Sequence, residues 1–293
     1  MDRQQQKMPF LRKHSWLKAR PPYADEGHKI RSTLAGLKLY TVCQEAACPN
    51  MAECFASGTA TFLILGNVCT RNCLYCNVAH GMPQKPDPKE VENLIAAVRQ
   101  MKLNYVVITS VTRDDLSDGG ASVFARAITG LRQSEPGCKI EVLIPDFQGS
   151  REALEKVTAA GPDVINHNME VVEPLFGRLR PQGNYHRSLE RLSCIANTGM
   201  ISKSGFMLGF GEEKADILRL MDDLAAVSCR RLTIGQYQQP TLKHWPVARY
   251  YHPDEFTEFR EIAFSKGFEY VESGPLVRSS YRAAHAKTRK QPS

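Results

Sequence analysis

Residues 59–76 read TATFLILGNVCTRNCLYC, a β-rich run that leads straight into three closely spaced cysteines. Downstream of it, strand-like and helix-like segments alternate. Asp87-Pro88-Lys89-Glu90 has the composition of a helix start, with Asp87 as N-cap, Pro88 at the first helical position and Glu90 closing a capping box. Strands are expected over 105–109, 139–144, 163–166, 201–210 and 231–237. Helices are expected over 121–132, 150–160, 187–197 and 213–227, the second and third stopped by Gly161 and Gly199. Such βα alternation specifies a parallel sheet. The fold class expected is α/β, a partial (β/α)6 TIM-type barrel, with an open Rossmann-like sheet as the competing topology. Residues 1–58 then form an N-terminal extension, 59–237 the barrel, and 238–293 a C-terminal extension with a helix near 254–266. Either topology gathers its chemistry at the C-terminal ends of the strands.

The 293 residues are 42% hydrophobic and 24% charged, the composition of a globular protein with a real core. No window approaches the roughly 20 apolar residues of a membrane span. The start, MDRQQQKMPFLRKHSW, lacks an apolar signal core, so no membrane role and a cytoplasmic location are expected. The formal net charge of +7 collects at the two ends of the chain, either as solvated tails or as a surface for an acidic partner. Of nine cysteines, six lie between Cys43 and Cys76, a crowding that in a reducing compartment means metal or redox chemistry.

Cys69, Cys73 and Cys76 form a C-x3-C-x2-C group. Three thiolates on one short loop reach three corners of an iron–sulfur cubane and leave one iron open to a small molecule. A zinc site completed by His80 is the alternative the spacing leaves standing. Cys43, Cys48 and Cys54 form a second triplet, C-x4-C-x5-C, whose different spacing argues for a second, separate cluster.

The C-x3-C-x2-C group, with aromatic Tyr75 before its last cysteine, resembles the signature of the radical S-adenosylmethionine superfamily. The earlier triplet makes the chain similar to the lipoyl synthase family in particular. The likeness continues through VCQEAACPNMAEC (42–54), FLILGNVCTRNCLYCNV (62–78), TSVTRDDLSDGGA (109–121), INHNMEVV (165–172), KSGFMLGFGE (203–212), LTIGQYQQPTLKHWPV (232–247) and GPLVRSSY (274–281). The resemblance implies two 4Fe-4S clusters, S-adenosyl-L-methionine, and insertion of two sulfur atoms at C6 and C8 of an octanoyl-lysine. It also implies an octanoylated lipoyl carrier domain as protein substrate and an electron donor such as a flavodoxin or ferredoxin. The resemblance further implies that Ser280 of the Arg278–Tyr281 motif, or else Ser279, completes the auxiliary cluster, and that this cluster is consumed as the sulfur donor. The first rival is another radical S-adenosylmethionine enzyme with an auxiliary cluster, against which the early C-x4-C-x5-C and the Arg278–Tyr281 motif argue. The rival from another class is a zinc-stabilised nucleic-acid-binding protein, disfavoured by the lack of paired C-x2-C knuckles, and no nucleic-acid partner is expected.

Cofactor contacts are expected from Tyr75, from Asn168 and Glu170 at the end of the fourth strand, from Lys203 on the fifth, and from Gly119 and Gly120, where backbone can approach a ligand closely. Gln236 and Gln238 at the end of the sixth strand are read as facing the substrate, and Arg113-Asp114-Asp115 as a solvated charge group without a role.

Overall fold

The computed structural model describes residues 11–18, 34, 36, 37, 39–42, 50 and 59–285. The expected ligands Cys43, Cys48 and Cys54 lie outside the described residues. In chain order the elements are β1 (Tyr40–Thr41), β2 (Thr59–Ile64), β3 (Val68–Cys69), β4 (Ala79–His80), α1 (Glu90–Gln100), β5 (Tyr105–Ser110) and α2 (Ala121–Ser134). There follow β6 (Lys139–Leu143), α3 (Arg151–Ala159), β7 (Val164–Asn166), α4 (Glu173–Leu179), α5 (Tyr185–Asn197) and β8 (Ile201–Leu208). Then come α6 (Lys214–Ala226), β9 (Arg231–Gln236), α7 (Pro253–Ser265) and β10 (Tyr270–Gly274).

One eight-stranded sheet runs in the order β1-β2-β5-β6-β7-β8-β9-β10. Only β1 on β2 is antiparallel; all the other pairings in it are parallel, as βα crossovers require. The six expected strands are therefore neighbours in sequence order, the arrangement of a partial TIM-type barrel. Side chains alternate between the two faces of each strand. Val106, Ile108, Ile140, Val142 and Ile165 pack in the main core with Leu94, Val98, Phe124, Ile128 and Leu131 of the covering helices. Tyr105 and Val107 face the other way and meet Ala283 in a separate inner cluster.

The segment read as a C-terminal extension carries one more parallel strand, since β10 pairs with β9 from Tyr270↔Arg231 to Gly274↔Gly235. Its sequence, YVESG, buries only Val271 fully, so its hydrophobic signal was weak. Beyond β10 the chain turns back over the inner face. A Cβ built on Gly235 would stand 2.2 Å from the Val277 carbonyl oxygen, so this crossing needs glycine. A second element absent from the sequence reading is α4, with proline in its first turn and Gly177 inside it. The expected capping box at Asp87 does not form. α1 begins at Glu90, and the Glu90 carboxylate instead accepts from the Leu65 and Gly66 amides at 2.9 and 3.3 Å, tying α1 to the end of β2.

Lys203, expected at the cofactor, is engaged within the sheet in this fold. It lies in the N-terminal half of β8, inside the sheet, and is 2% exposed. Its Nζ donates to Glu141 Oε1 at 2.8 Å, and the Tyr105 hydroxyl donates to Glu141 Oε2 at 2.7 Å. A buried ammonium needs a buried partner, and Glu141 is the one the fold supplies. Lys203→Met should therefore destabilise the protein by about 3–5 kcal/mol in urea unfolding, because it strands the Glu141 charge. Adding Glu141→Leu should return part of that loss. A neutral single variant, or a double variant worse than the single, would contradict the pairing.

Candidate functional site

The cysteine loop follows β2 and is held from several directions. Thr70 donates from both its amide and its hydroxyl to the Thr112 carbonyl, each at 3.0 Å. The Leu74 amide donates to the Leu179 carbonyl at 2.9 Å, and the Trp245 amide donates to the Leu74 carbonyl at 2.9 Å. The His244 ring nitrogen Nε2 sits 3.0 Å from the Cys76 carbonyl oxygen. Within the triplet, Arg71 donates from Nε and Nη2 to the two oxygens of Asp114 at 2.7 and 2.9 Å, and from Nη2 to Asp146 Oδ1 at 2.6 Å. Asp114 and Asp146 follow β5 and β6, so this fork fixes the loop over the C-terminal ends of the central strands.

Cys69, Cys73 and Cys76 line one cavity of about 210 Å³, together with Tyr75, Arg71, Thr109–Thr112, His167, Asn168, Glu170 and Arg180. A second cavity of about 250 Å³ adjoins it and shares Val42, Tyr75, Cys76, Leu143, Asn168 and Glu170. Its further walls are Phe206, Met207, Gly235, Tyr237, Val277, Arg278 and Ser279 among others. Burial pushes the Cys76 thiol up to about 12 and raises Cys73 as well, where the Arg180 guanidinium opposes the rise. Thiols in this setting ionise readily only when a cation takes the charge, the chemistry that cluster ligation supplies. Among the described residues no three His, Cys, Asp or Glu side chains are grouped to hold a single metal ion, and the three thiols line the cavity.

Two buried acceptors aim into this space. Burial, reinforced by the Arg180 charge, brings His167 down to about 4, so its ring is neutral at pH 7. With Nδ1–H donating to the Ile144 carbonyl at 2.9 Å, Nε2 is left as an acceptor. Among the described residues, neither His167 Nε2 nor Asn168 Oδ1 has a protein partner. Asn168 Nδ2 donates to Glu170 Oε1 at 3.0 Å. Glu170 holds a left-handed φ of 69° and is pinned to β8 by its amide on the Gly205 carbonyl and by the Met207 amide on its own carbonyl. Strained backbone of this kind clusters at ligand sites. Buried acceptors without protein donors suit a ligand rich in hydroxyl and amino groups, so the residues present fit both a cluster and an S-adenosylmethionine-like molecule.

The structure thus brings Cys69, Cys73, Cys76, Tyr75, Asn168 and Glu170 together, with Ser279 on the adjoining wall. Ser280, one residue on, is half-buried, and its carbonyl accepts from the Ala283 amide. Gly119 and Gly120 go elsewhere. Cβ atoms built there would come within 2.9 Å of Phe147 and 2.2 Å of Leu65, so both glycines serve close packing under α2, and Gly119 lines a separate cleft. His80 is exposed. Gln238 lines the second cavity, but Gln236 is fully buried and spends its amide on backbone groups of Leu208, Arg249 and Tyr251. Arg113-Asp115 is no solvated group. Arg113 is 1% exposed, pairs with Asp115 and donates to the Leu65 carbonyl, while Asp114 holds Arg71. Sequence reasoning missed Arg71, Asp146 and Arg180. Only the placing of Arg71 between two of the three cysteines hinted at its part.

Burial works against ionisation of Asp146, but the Arg71 hydrogen bond and charge outweigh it and hold the carboxyl down at about 2. A folded-state value below the unfolded value of about 3.9 gives stability that is present above that pH and lost as pH falls toward about 2. Asp146→Asn should destabilise the protein by about 1–3 kcal/mol at pH 7, and the gap from the parent should narrow between pH 4 and pH 2.5. Urea unfolding at the two pH values measures it, and an unchanged gap would contradict the pairing.

The chain matches the family model of the radical SAM superfamily over residues 63–224, and that of the N-terminal domain of lipoyl synthase over residues 1–48. It is 51% identical over 275 residues to a lipoyl synthase of Rubrobacter xylanophilus, covering 93% of this chain and 85% of the relative. It is 48% identical over 284 residues to that of Oleidesulfovibrio alaskensis, covering 97% and 98%. Among solved structures, SuiB of Streptococcus suis bound to S-adenosylmethionine superposes with a TM-score of 0.58 at 12% identity, over 87% of this chain and 58% of that one. Methylornithine synthase superposes with a TM-score of 0.54 at 10% identity, over 83% and 81%, and both likenesses speak for the fold alone. Two alignments spanning nearly the whole chain at about half identity, together with the cysteine loop at the mouth of the sheet, place this chain in the lipoyl synthase family of the radical SAM superfamily.

Proposed function

We propose that this protein inserts two sulfur atoms into an octanoyl chain borne on a lysine of a carrier domain, at C6 and C8, in the cytoplasm. The observation that supports it most directly is the pair of adjoining cavities. Three thiols and a row of polar acceptors line one, and Leu143, Phe206, Met207 and Val277 give the other apolar walls suited to an alkyl chain. When bound, the clusters and S-adenosylmethionine supply a carbon-centred radical strong enough to take hydrogen from a saturated chain, and the sulfur that replaces it.

The chain's own groups then do the positioning. Cys69, Cys73 and Cys76 would hold three corners of one cluster. Asn168 Oδ1, His167 Nε2 and the Glu170 carboxylate would accept hydrogen bonds from the cofactor's hydroxyl or amino groups. The Arg180 guanidinium, which donates to the Asn168 and Met169 carbonyls, offsets the negative charge gathered at Cys73 and Glu170. The Tyr75 ring meets Phe210 edge-on at 5.9 Å, and Phe210 stacks on Tyr237 at 4.2 Å. That wall keeps water and stray hydrogen donors away from a radical. Cys43, Cys48, Cys54 and Ser280 would hold the second cluster. Serine oxygen is a harder and weaker ligand for iron than thiolate, which suits a cluster that must come apart as it gives up sulfur.

Anaerobic reconstitution should give about eight iron and about eight sulfide per chain, four for each cubane. Replacing Cys69, Cys73 and Cys76 with alanine should leave about four of each and abolish 5′-deoxyadenosine formation. Zinc in the intact protein, or only half the iron, would sink the reading. Ser280→Ala should keep cofactor cleavage but fail to make the dithiolane product. Its fold should survive, since one hydroxyl contributes at most about 1–2 kcal/mol. Product mass after incubation with an octanoylated carrier peptide reads the outcome. Full yield from Ser280→Ala with failure of Ser279→Ala would move the ligand one residue back, and full yield from both would remove serine from the site.

A further inference from the structure

The outer side of the cysteine loop has a surface that the reaction itself does not use. Leu74, between Cys73 and Cys76, is 39% exposed, and the neighbouring segments present Leu242 at 79% and Met82 at 91%. Each lies on the loop or close in sequence to a backbone bond onto it. The Gly81 amide donates to the Cys69 carbonyl at 2.9 Å, and His244 and Trp245 hold Cys76 and Leu74 as described above. Gln182 Nε2 donates to Asn72 Oδ1 at 2.6 Å and brings in the segment after α4. One or two residues of chain span only about 4–7 Å, so these apolar side chains surround the loop.

The segments that carry and flank them hold charge of one sign. Residues 72–86, 174–189 and 237–253 contain no aspartate or glutamate. They carry exposed Lys85, Arg178 and Lys243, and the Arg178 guanidinium lies over the Trp245 ring at 5.1 Å. Acid-free chain on three sides of an apolar centre is the make-up of a transient docking face for an acidic protein.

We propose that this face receives the acidic one-electron donor protein that reduces the cluster held by Cys69, Cys73 and Cys76. The inference rests on the function proposed above. Leu74 is the exposed apolar residue inside the triplet, so a donor touching it stands next to Cys73 and two residues from Cys76. A carrier domain has no such need, because its acyl chain must reach the inner cavity rather than the outside of the loop. The transfer moves one electron: the donor's cofactor is oxidised by one, the cluster is reduced by one, and no bond or proton changes at the contact. A small, partly charged interface fits a donor that must leave after each transfer.

Leu242→Glu combined with Lys243→Glu tests it on the reconstituted protein, since both side chains are exposed. Calorimetric binding of oxidised flavodoxin at low salt should weaken on the order of tenfold, as rim charge reversal does. Binding of the octanoylated carrier domain should be unchanged. The initial rate of 5′-deoxyadenosine formation should fall by a similar factor with reduced flavodoxin and stay within about twofold with dithionite, which needs no docking face. Unchanged flavodoxin binding, an equal loss with dithionite, or weakened carrier binding would each overturn the proposal, the last by giving the face to the carrier. Failure of the underlying reading would look different: the unmodified chain would form no 5′-deoxyadenosine even with dithionite.

Discussion

Arg71 divides its guanidinium between two carboxylates, Asp114 beyond β5 and Asp146 beyond β6, and the rest of the site is arranged around that fork. Backbone hydrogen bonds hold the cysteine loop at Cys69, Thr70 and Leu74, and one buried side chain sets its position between two strand ends. A planar cation with donors fixed in a fork, 5% exposed and paired with a carboxylate that is 1% exposed, defines both the height and the direction of the loop. Two neighbouring strand ends are thereby joined to the segment that carries three thiols. The cost of burying these charges is offset only while all the partners are present, so the arrangement is rigid in the way a metal-ligand loop needs.

Around that anchor the polar groups fall into two kinds. Some are closed within the protein, such as Lys203 with Glu141 and Tyr105, Arg113 with Asp115, and Gln236 with its backbone partners. Others stand unsatisfied among the described residues, chiefly Asn168 Oδ1 and His167 Nε2, and both line the thiol cavity. A buried acceptor without a donor costs free energy that folding alone does not recover, which marks the cavity as built for something that donates hydrogen bonds. The closed groups hold the sheet; the open ones wait for a ligand.

The alternation of strand and helix made the six central strands legible, and the cysteine spacing made the loop legible, because both are periodic or local features. What remained hidden was set by distance in space. Nothing in the sequence joins Arg71 to Asp146, 75 residues away. Lys203 was legible as a strand residue, but period two tells which face a side chain takes and not which end of the strand it sits at. It is placed in the N-terminal half of β8, and its ammonium is bound to Glu141 inside the sheet. Gly119 and Gly120 looked like room for a ligand, whereas the room is filled by Phe147 and Leu65. The strand β10 was hidden because only Val271 in it is fully buried.

The central claim is that one cluster site of this molecule makes a radical and the other gives up its own sulfur to it. Protein reconstituted with heavy-isotope sulfide, freed of excess sulfide and supplied with S-adenosylmethionine, reductant and an octanoylated carrier peptide in natural-abundance buffer, tests it most directly by product mass. The account predicts a dithiolane product in which both sulfur atoms are heavy, formed at no more than one product per chain. Product carrying light sulfur only, or heavy product over many turnovers without loss of iron, would contradict it.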